Sequence, residues 1–252
     1  MIYYCCPTLN QHHNLYKWAE AAMQGTVKPD KILIVDNSGR YLAEDIDFGD
    51  YPVEILSQDE NLGCGPSWNL CLSEAYGTII EELKMSNYEL SPYIQDYCII
   101  ANDDVFVHPQ TIEHLVSAAQ QDTNNVFFHG SGHSGNSFSL FLLTAKGYVD
   151  IGLFDEFIWP AYFEDNDYHR RLKRKGLDII GINEATFDHI GSATVKKFDE
   201  TQARVQNVRF ERNRMYYMLK WGGVPHQELF EKPWNGRKEE EVQNYIRSVY
   251  GY

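Results

Sequence analysis

The chain has 252 residues, 43% of them apolar and 23% charged, an ordinary globular balance that excludes a mainly disordered or low-complexity protein. Its 22 Lys and Arg against 36 Asp and Glu give a formal charge of −14, which repels phosphate backbones at long range and argues against nucleic acid as a partner. Five cysteines, an odd count that includes the adjacent Cys5 and Cys6, suit a reduced, cytoplasmic setting better than a disulfide framework; neither a transmembrane segment of roughly 18 apolar residues nor a basic-then-apolar leader is expected.

In chain order, Met1–Cys6 is a short apolar run stopped by Pro7 and predicts a buried strand. Asn10 is placed to cap a helix over His12–Gln24, with Leu15, Trp18, Ala19 and Ala22 on one face. Lys31–Val35 and Val53–Leu56 predict the next two strands, the first of them followed by the turn-rich Asp36-Asn37-Ser38-Gly39. The polar loop Asn61–Pro66 leads into a helix over about Ser67–Leu83, and Tyr97–Ala101 predicts a fourth strand, halted by Asn102-Asp103-Asp104. A helix at Gln110–Gln121 and strands at Val126–His129 and Ser137–Thr144 follow. The remainder predicts helices at Asp165–Lys175, Thr201–Trp221 and Lys238–Tyr250, and short strands at Asp178–Ile182 and Ala185–Phe187. Strands alternating with helices predict an α/β protein with a mostly parallel sheet, and uninterrupted apolar strands predict burial on both sheet faces. The expected organisation is one domain over 1–220 with a helical extension, 221–252, packed on it.

Ligands of open α/β sheets bind beyond the carboxyl ends of the strands, and four polar clusters fall at such ends. These are Asp36, Asn61 with Gly63, Asp103 with Asp104, and Asp188 with His189. Adjacent carboxylates after a buried strand repel unless donors or a cation neutralise them, and hard oxygen ligands suit Mg²⁺ or Mn²⁺; a solvated turn is the plain alternative. Glu164, Asp165 and Asp167 open a helix whose far end carries Arg170, Arg171, Lys173, Arg174 and Lys175, a distribution that also suits the helix dipole. The apolar run Trp159–Phe163 enters those acids directly, and an apolar wall raises carboxylate basicity. Asp165 and Asp167 cannot both face one way on a helix. Trp159 and Tyr162 read either as rings facing a ligand or as core, Lys196 and Lys197 as a closing segment or a solvated loop, and Arg209, Arg212 and Arg214 as surface charge. Neither GxGxxG nor GxxxxGK[ST] occurs, so neither the dinucleotide fingerprint nor a P-loop is supported.

Taken in order, the pieces Pro7-Thr8-Leu9-Asn10, Val35-Asp36-Asn37-Ser38-Gly39, Glu60-Asn61-Leu62-Gly63, Asn69, Asn102-Asp103-Asp104-Val105, Glu164-Asp165-Asn166-Asp167 with Arg170, and His189 resemble family-2 glycosyltransferases. The likeness extends over about residues 1–220 and is strongest to the rhamnosyl- and galactofuranosyl-transferase branch. It implies the GT-A fold, a Rossmann-like and mostly parallel sheet flanked by helices with a helical C-terminal addition. It further implies an inverting, Mn²⁺- or Mg²⁺-dependent transfer of a sugar from a UDP- or dTDP-type donor to a carbohydrate or glycan acceptor. By the same resemblance Pro7, Thr8 and Asn10 line the nucleotide pocket, Asp36 holds the base, and Asn61, Gly63 and Asn69 lie beside the nucleotide. Asn102 and Asp103 lie near the ribose or sugar, Asp104 and His189 face the metal, Asp165 is the base, and Trp159, Tyr162 and Glu164 border the sugar or acceptor. Asn102 stands where the family pattern opens with Asp, and the polar stretch Met85–Asp96 matches nothing in it.

Rival readings are weaker on the residues. A nucleotidyltransferase would show a Gly-rich basic loop after the first strand, where this chain has Pro7–His12. A phosphoesterase would need more His and Asp at strand ends. A non-catalytic nucleotide- or carbohydrate-binding module is the alternative from a different class; it accounts for the aromatic and acidic residues but not for a base beside a metal site.

Overall fold

The computed structural model describes residues 1–9, 11–85, 96–132, 136–190 and 200–251. The eight strands are β1 (Ile2–Thr8), β2 (Lys31–Asp36), β3 (Val53–Ser57), β4 (Tyr97–Ala101), β5 (Val105–Val107), β6 (Phe127–Gly132), β7 (Leu140–Thr144) and β8 (Ile179–His189). They form one sheet in the order β3-β2-β1-β4-β7-β6-β8-β5. The first four run parallel; β7 runs antiparallel to both β4 and β6, β6 and β8 are parallel, and β5 closes the edge antiparallel to β8.

The period-two geometry of a strand divides each apolar run between the two faces. Tyr4, Cys6, Ile32, Ile34, Ile99 and Ala101 enter one core with Leu15 and Trp18 of α1 (Leu15–Met23) and Ile112 and Leu115 of α3 (Thr111–Gln121). Their neighbours Tyr3, Cys5, Leu33, Val35, Cys98 and Ile100 enter the other, under Trp68, Leu72 and Tyr76 of α2 (Cys64–Met85) and Tyr168 and Leu172 of α5 (Glu164–Arg174). Both faces are covered, which is why these strands read as unbroken apolar runs.

Several boundaries differ from the sequence expectation. The two short strands expected near the end of the sheet are one, β8; its pairing with β6 shifts register between His129 and Ser131, so the polar Gly181–Glu184 stretch sits in a bulged strand and not in a turn. Helix α2 starts at Cys64, three residues early, with Pro66 in its first turn, where a missing N–H costs nothing. Strand β7 starts late because Ser139 N bonds Asn136 O in a turn. The three-residue β5 and the six-residue α4 (Ala145–Asp150), capped by the Thr144 side chain, were not expected. Helix α1 follows a 3-10 turn at His12–Asn14; the expected cap, Asn10, lies outside the described residues.

A third core joins the loop before α5 to the C-terminal helices. Ile158 and Phe163 pack with Tyr216, Tyr217 and Trp221 of α6 (Glu200–Trp221), with Trp234, and with Val242 and Ile246 of α7 (Glu239–Tyr250). Within it lies a neutral quartet of charges. Lys220 Nζ bonds Asp155 Oδ2 at 2.7 Å and Asp167 Oδ1 at 2.6 Å. Asp167 also accepts from Trp221 Nε1 at 2.8 Å and from Arg171 Nε at 2.9 Å. Asp167 is 0% and Lys220 7% exposed, so charges this deep persist only as partners.

Burial alone would raise the Asp167 carboxyl, but Lys220 and Arg171 hold it below its ordinary 3.8. Burial works against the Lys220 charge, yet Asp167 and Asp155 carry it above its ordinary 10.5. The Asp167 contribution to stability is therefore present above about pH 4 and lost as pH falls through the folded value, while that of Lys220 is present below about pH 10 and lost as pH rises through its own. Replacing Asp167 by Asn removes the carboxylate shared by buried Lys220 and partly buried Arg171 and is expected to cost about 3–5 kcal/mol near neutral pH. Denaturant unfolding should show that deficit, with the gap to wild type narrowing below about pH 4 as the wild-type carboxyl itself protonates.

Candidate active site

The carboxyl ends of β1 and β4 open on a cavity of about 470 Å³. Pro7 and Thr8 border it from β1, Asn102, Asp103 and Asp104 from the turn after β4, and His189 from the end of β8. Tyr162, Glu164 and Asp165 form the facing wall.

The turn after β4 is fixed by backbone bonds from Asn102 N to Ser139 O and from Val105 N to Asn102 O. Asp103, 8% exposed, accepts from Thr8 Oγ1 at 2.9 Å. Burial pushes its carboxyl up to about 7, the Thr8 bond opposing and the neighbouring Asp104 adding to the rise. Asp104 meets His189 across the sheet edge: β5 pairs Val105 with His189, Ile190 N bonds Asp104 O, and His189 Nε2 lies 3.1 Å from Asp104 Oδ1. A three-residue strand thus joins two side chains 85 positions apart. Among the described residues no cluster of three or more His, Cys, Asp or Glu is arranged around a metal position.

The opposite wall is the N-terminus of α5. Tyr162 and Phe163 precede it at φ +74° and +78°, a left-handed conformation that costs roughly 1–3 kcal/mol at each non-glycine residue. Glu164 is 6% exposed and its Oε2 has no hydrogen-bond partner; burial and then the Asp165 charge push its carboxyl well above the usual range. Asp165 is also raised by burial, against the pull of the Asn166 amide. Asp167 faces away into the buried quartet, so the three acids divide as helical spacing requires, two to the cavity and one to the core.

Other expected site residues have different surroundings. Asn61 and Gly63 border the cavity; Asn61 accepts from Gly63 N through Oδ1 and from Trp159 Nε1 through its carbonyl. Gly63, at φ +84°, lies so close to Pro160 that a Cβ would sit 2.5 Å from the Pro160 oxygen, and Cys64 N bonds that same oxygen at 2.7 Å. Asp36 is fully buried and is not among the lining residues: its oxygens accept from Ser38 N, Ala43 N and His12 Nε2. Burial would raise it, but the Ala43, His12 and Ser38 bonds together bring it below 3.8. Asn69 does not reach the cavity either; it clips the Phe154 backbone through both its amide groups and also bonds Glu156. Trp159 lies behind the lining, its ring beneath the Arg209 guanidinium at 4.3 Å. Asn10, Lys196 and Lys197 lie outside the described residues.

The arginines of α6 correct the surface reading. Arg209 borders the cavity with Gln206, and Arg212, 5% exposed, donates to Phe157 O at 2.8 Å; Arg214 is a surface residue paired with Glu211. The missed signal is spacing: 206, 209, 213, 216 and 220 fall on one helix face, which a purely apolar periodicity overlooks because four of its members, Gln206, Arg209, Asn213 and Lys220, are polar.

A family model, Glycosyl transferase family 2, matches residues 4–188. The chain belongs to that family, a family of glycosyltransferases. Solved structures share its fold. A mannosyltransferase from Pyrobaculum calidifontis, in complex with GDP-Man and Mn²⁺, aligns with 99% of this chain and 70% of its own at 12% identity and a TM-score of 0.56. Glucosyl-3-phosphoglycerate synthase from Mycobacterium tuberculosis, in complex with Mn²⁺, UDP and glucosyl-3-phosphoglycerate, aligns over 86% and 78% at 10% identity and 0.55. TarS of S. aureus aligns over 85% of this chain and 43% of its own at 11% identity and 0.51. No curated protein matches the chain in sequence. Among the described residues no helix is long and apolar enough to cross a membrane.

Gly63→Ala forces a Cβ against Pro160 at a positive φ and is expected to lower stability by roughly 1–3 kcal/mol. Gly77→Ala in α2, with nothing within 4 Å, should instead stabilise by roughly 0.5–1 kcal/mol. Thermal unfolding reads the contrast.

Proposed function

We propose that this family member is an inverting, divalent-metal-dependent glycosyltransferase that moves a sugar from a nucleoside-diphosphate donor to a hydroxyl of a carbohydrate or glycan acceptor. The observation that carries the reading is the placement of two acid groups on opposite walls of one cavity, Asp104 with His189 and Asp103 on one side, Glu164 with Asp165 on the other.

Asp104 and His189 would hold the metal. One carboxylate oxygen and one imidazole nitrogen fit Mn²⁺ or Mg²⁺ and leave positions for diphosphate oxygens. When bound, the ion supplies positive charge to the departing diphosphate, which a chain of net charge −14 otherwise lacks. Pro7, Thr8, Asn61, Gly63 and Asn102 border the nucleotide, and Asp103 borders its ribose or sugar. Asp36 sets the shape of the base pocket through the turn it holds. The Mn²⁺ complexes of fold neighbours with GDP-Man and with UDP agree with this side of the cavity. Resemblance to the rhamnosyl- and galactofuranosyl-transferase branch favours a UDP- or dTDP-linked hexose or deoxyhexose.

On the other wall, Asp165 takes the proton from the acceptor hydroxyl. The hydroxyl oxygen attacks the anomeric carbon from the face opposite the diphosphate, the carbon–oxygen bond to phosphate breaks, and the configuration inverts. A carboxyl raised by burial is a better proton acceptor than an ordinary Asp. Glu164, raised by burial and then by the Asp165 charge, borders the sugar or acceptor on the same wall. Tyr162 borders the acceptor, and Arg209 on Trp159 adds positive charge to that wall.

A panel of UDP-, dTDP- and GDP-sugars with Mn²⁺ should show nucleotide release that EDTA abolishes. Asp165→Asn should lose about 10²–10⁴-fold in transfer while its nucleotide affinity holds; undiminished turnover in that variant would remove the base assignment. No metal-dependent release from any donor would favour the non-catalytic binding module. The rate should fall on the acid side with an apparent pKa above the ordinary 3.8 of Asp, because the base must be ionised to accept a proton.

A further inference from the structure

The two acids of α5 are aimed by backbone that does not hold itself. Phe163, the residue before the helix, is left-handed and makes no side-chain capping bond; Tyr162 before it is left-handed too. Two consecutive non-glycine residues in that region persist only where neighbours over-determine them. The neighbour here is Asn213 of α6, 0% exposed. Its Nδ2 donates to Ala161 O at 3.0 Å and to Tyr162 O at 3.2 Å. Its Oδ1 accepts from Arg212 Nη1 at 2.9 Å, and the same nitrogen donates to Phe157 O at 2.8 Å. The amide therefore has one orientation: oxygen toward the guanidinium, both N–H groups toward the loop. The consequence runs outward from the loop, since Phe163 O accepts Asp167 N in the first turn of α5 and Pro160 O accepts Cys64 N at the start of α2.

We propose that Asn213 is a positioning residue for the reaction: as a double donor to the Ala161 and Tyr162 carbonyl groups it locks Tyr162 and Phe163 in the left-handed path that points Glu164 and Asp165 into the cavity. The catalytic half of this inference rests on the function proposed above; the conformational half stands on the hydrogen bonds alone. A donor role makes a distinctive ranking. Aspartate has the shape of asparagine and can still accept from Arg212, but it has no N–H to offer two carbonyl oxygens and would face them with its own lone pairs. Serine keeps one donor; alanine keeps none. A residue that merely fills space would rank aspartate nearest to wild type.

The experiment compares Asn213→Asp, Asn213→Ala and Asn213→Ser with wild type by amide hydrogen exchange and by kinetics, per active site counted from nucleotide binding with Mn²⁺. The expected order of kcat is wild type, Ser, Ala, Asp. The Asp variant should fall by about 100-fold, as misplaced catalytic groups do, with donor KM and nucleotide affinity little changed. The Cys64 and Asp167 amides should exchange faster in the same order, while the amides of β1 and β4 stay protected. Wild-type exchange and kcat in the Asp variant overturn the proposal, as does a loss of protection spread evenly over the sheet. A wild-type protein inactive with every donor refutes the proposed function, and the exchange ranking still decides the clamp.

Discussion

The contact between Asp167 and Lys220 fixes the relation between two parts of the chain that the sheet does not connect. Helix α5 lies on the sheet through Tyr168 and Leu172, but the direction of its first turn depends on what lies beyond. Lys220 reaches Asp167 from α6 and Asp155 from the loop ahead of α5, so one ammonium group joins the helix, its approach and the C-terminal helix. Buried charges of this kind contribute little net stability compared with apolar packing, but they penalise any arrangement that separates them. That penalty selects one docking of α6, and the docking delivers Gln206, Arg209 and Asn213 to the site.

The cavity places its acids in unlike surroundings. Asp103 accepts from Thr8, Asp104 meets an imidazole, Asp165 accepts an amide, and Glu164 Oε2 has no partner. A chain so rich in carboxylates assigns them different proton affinities by varying burial and donors. Asp167, two residues beyond Asp165, is held low by its cations while Asp165 is raised; opposite shifts within one helical turn follow from which face each side chain takes.

The sheet was legible because short unbroken apolar runs such as Lys31–Val35 and Tyr97–Ala101, each halted by turn residues, mark strands buried on both faces without knowledge of their partners. The strand-end acids Asp103 and Asp104 were legible because cavities of open α/β sheets lie beyond the carboxyl ends of the strands, where these residues stand. Asp36 and Asn69 show the limit of that logic: both stand where a ligand contact is expected, and both are engaged with the chain itself, by Ser38, Ala43 and His12 in one case and by Phe154 in the other. The β5 strand is too short to carry a pattern, although it brings Asp104 to His189. The role of α6 was hidden because its inward face is built from Asn, Arg and Lys, whose burial becomes intelligible only once Asp155, Asp167 and the 157–162 carbonyl groups are seen opposite them.

Dependence of the site on α6 has a consequence for the order in which the protein is made. Translation completes the sheet, through β8, before it reaches Asn213 and Lys220. A nascent chain at that stage holds Thr8, Asp103, Asp104 and His189 on one side of the cavity but lacks Asn213 and Lys220, which bond the loop before α5 and its first turn. The α5 wall of the cavity thus gains its last bonding partners only after every strand of the sheet has been made.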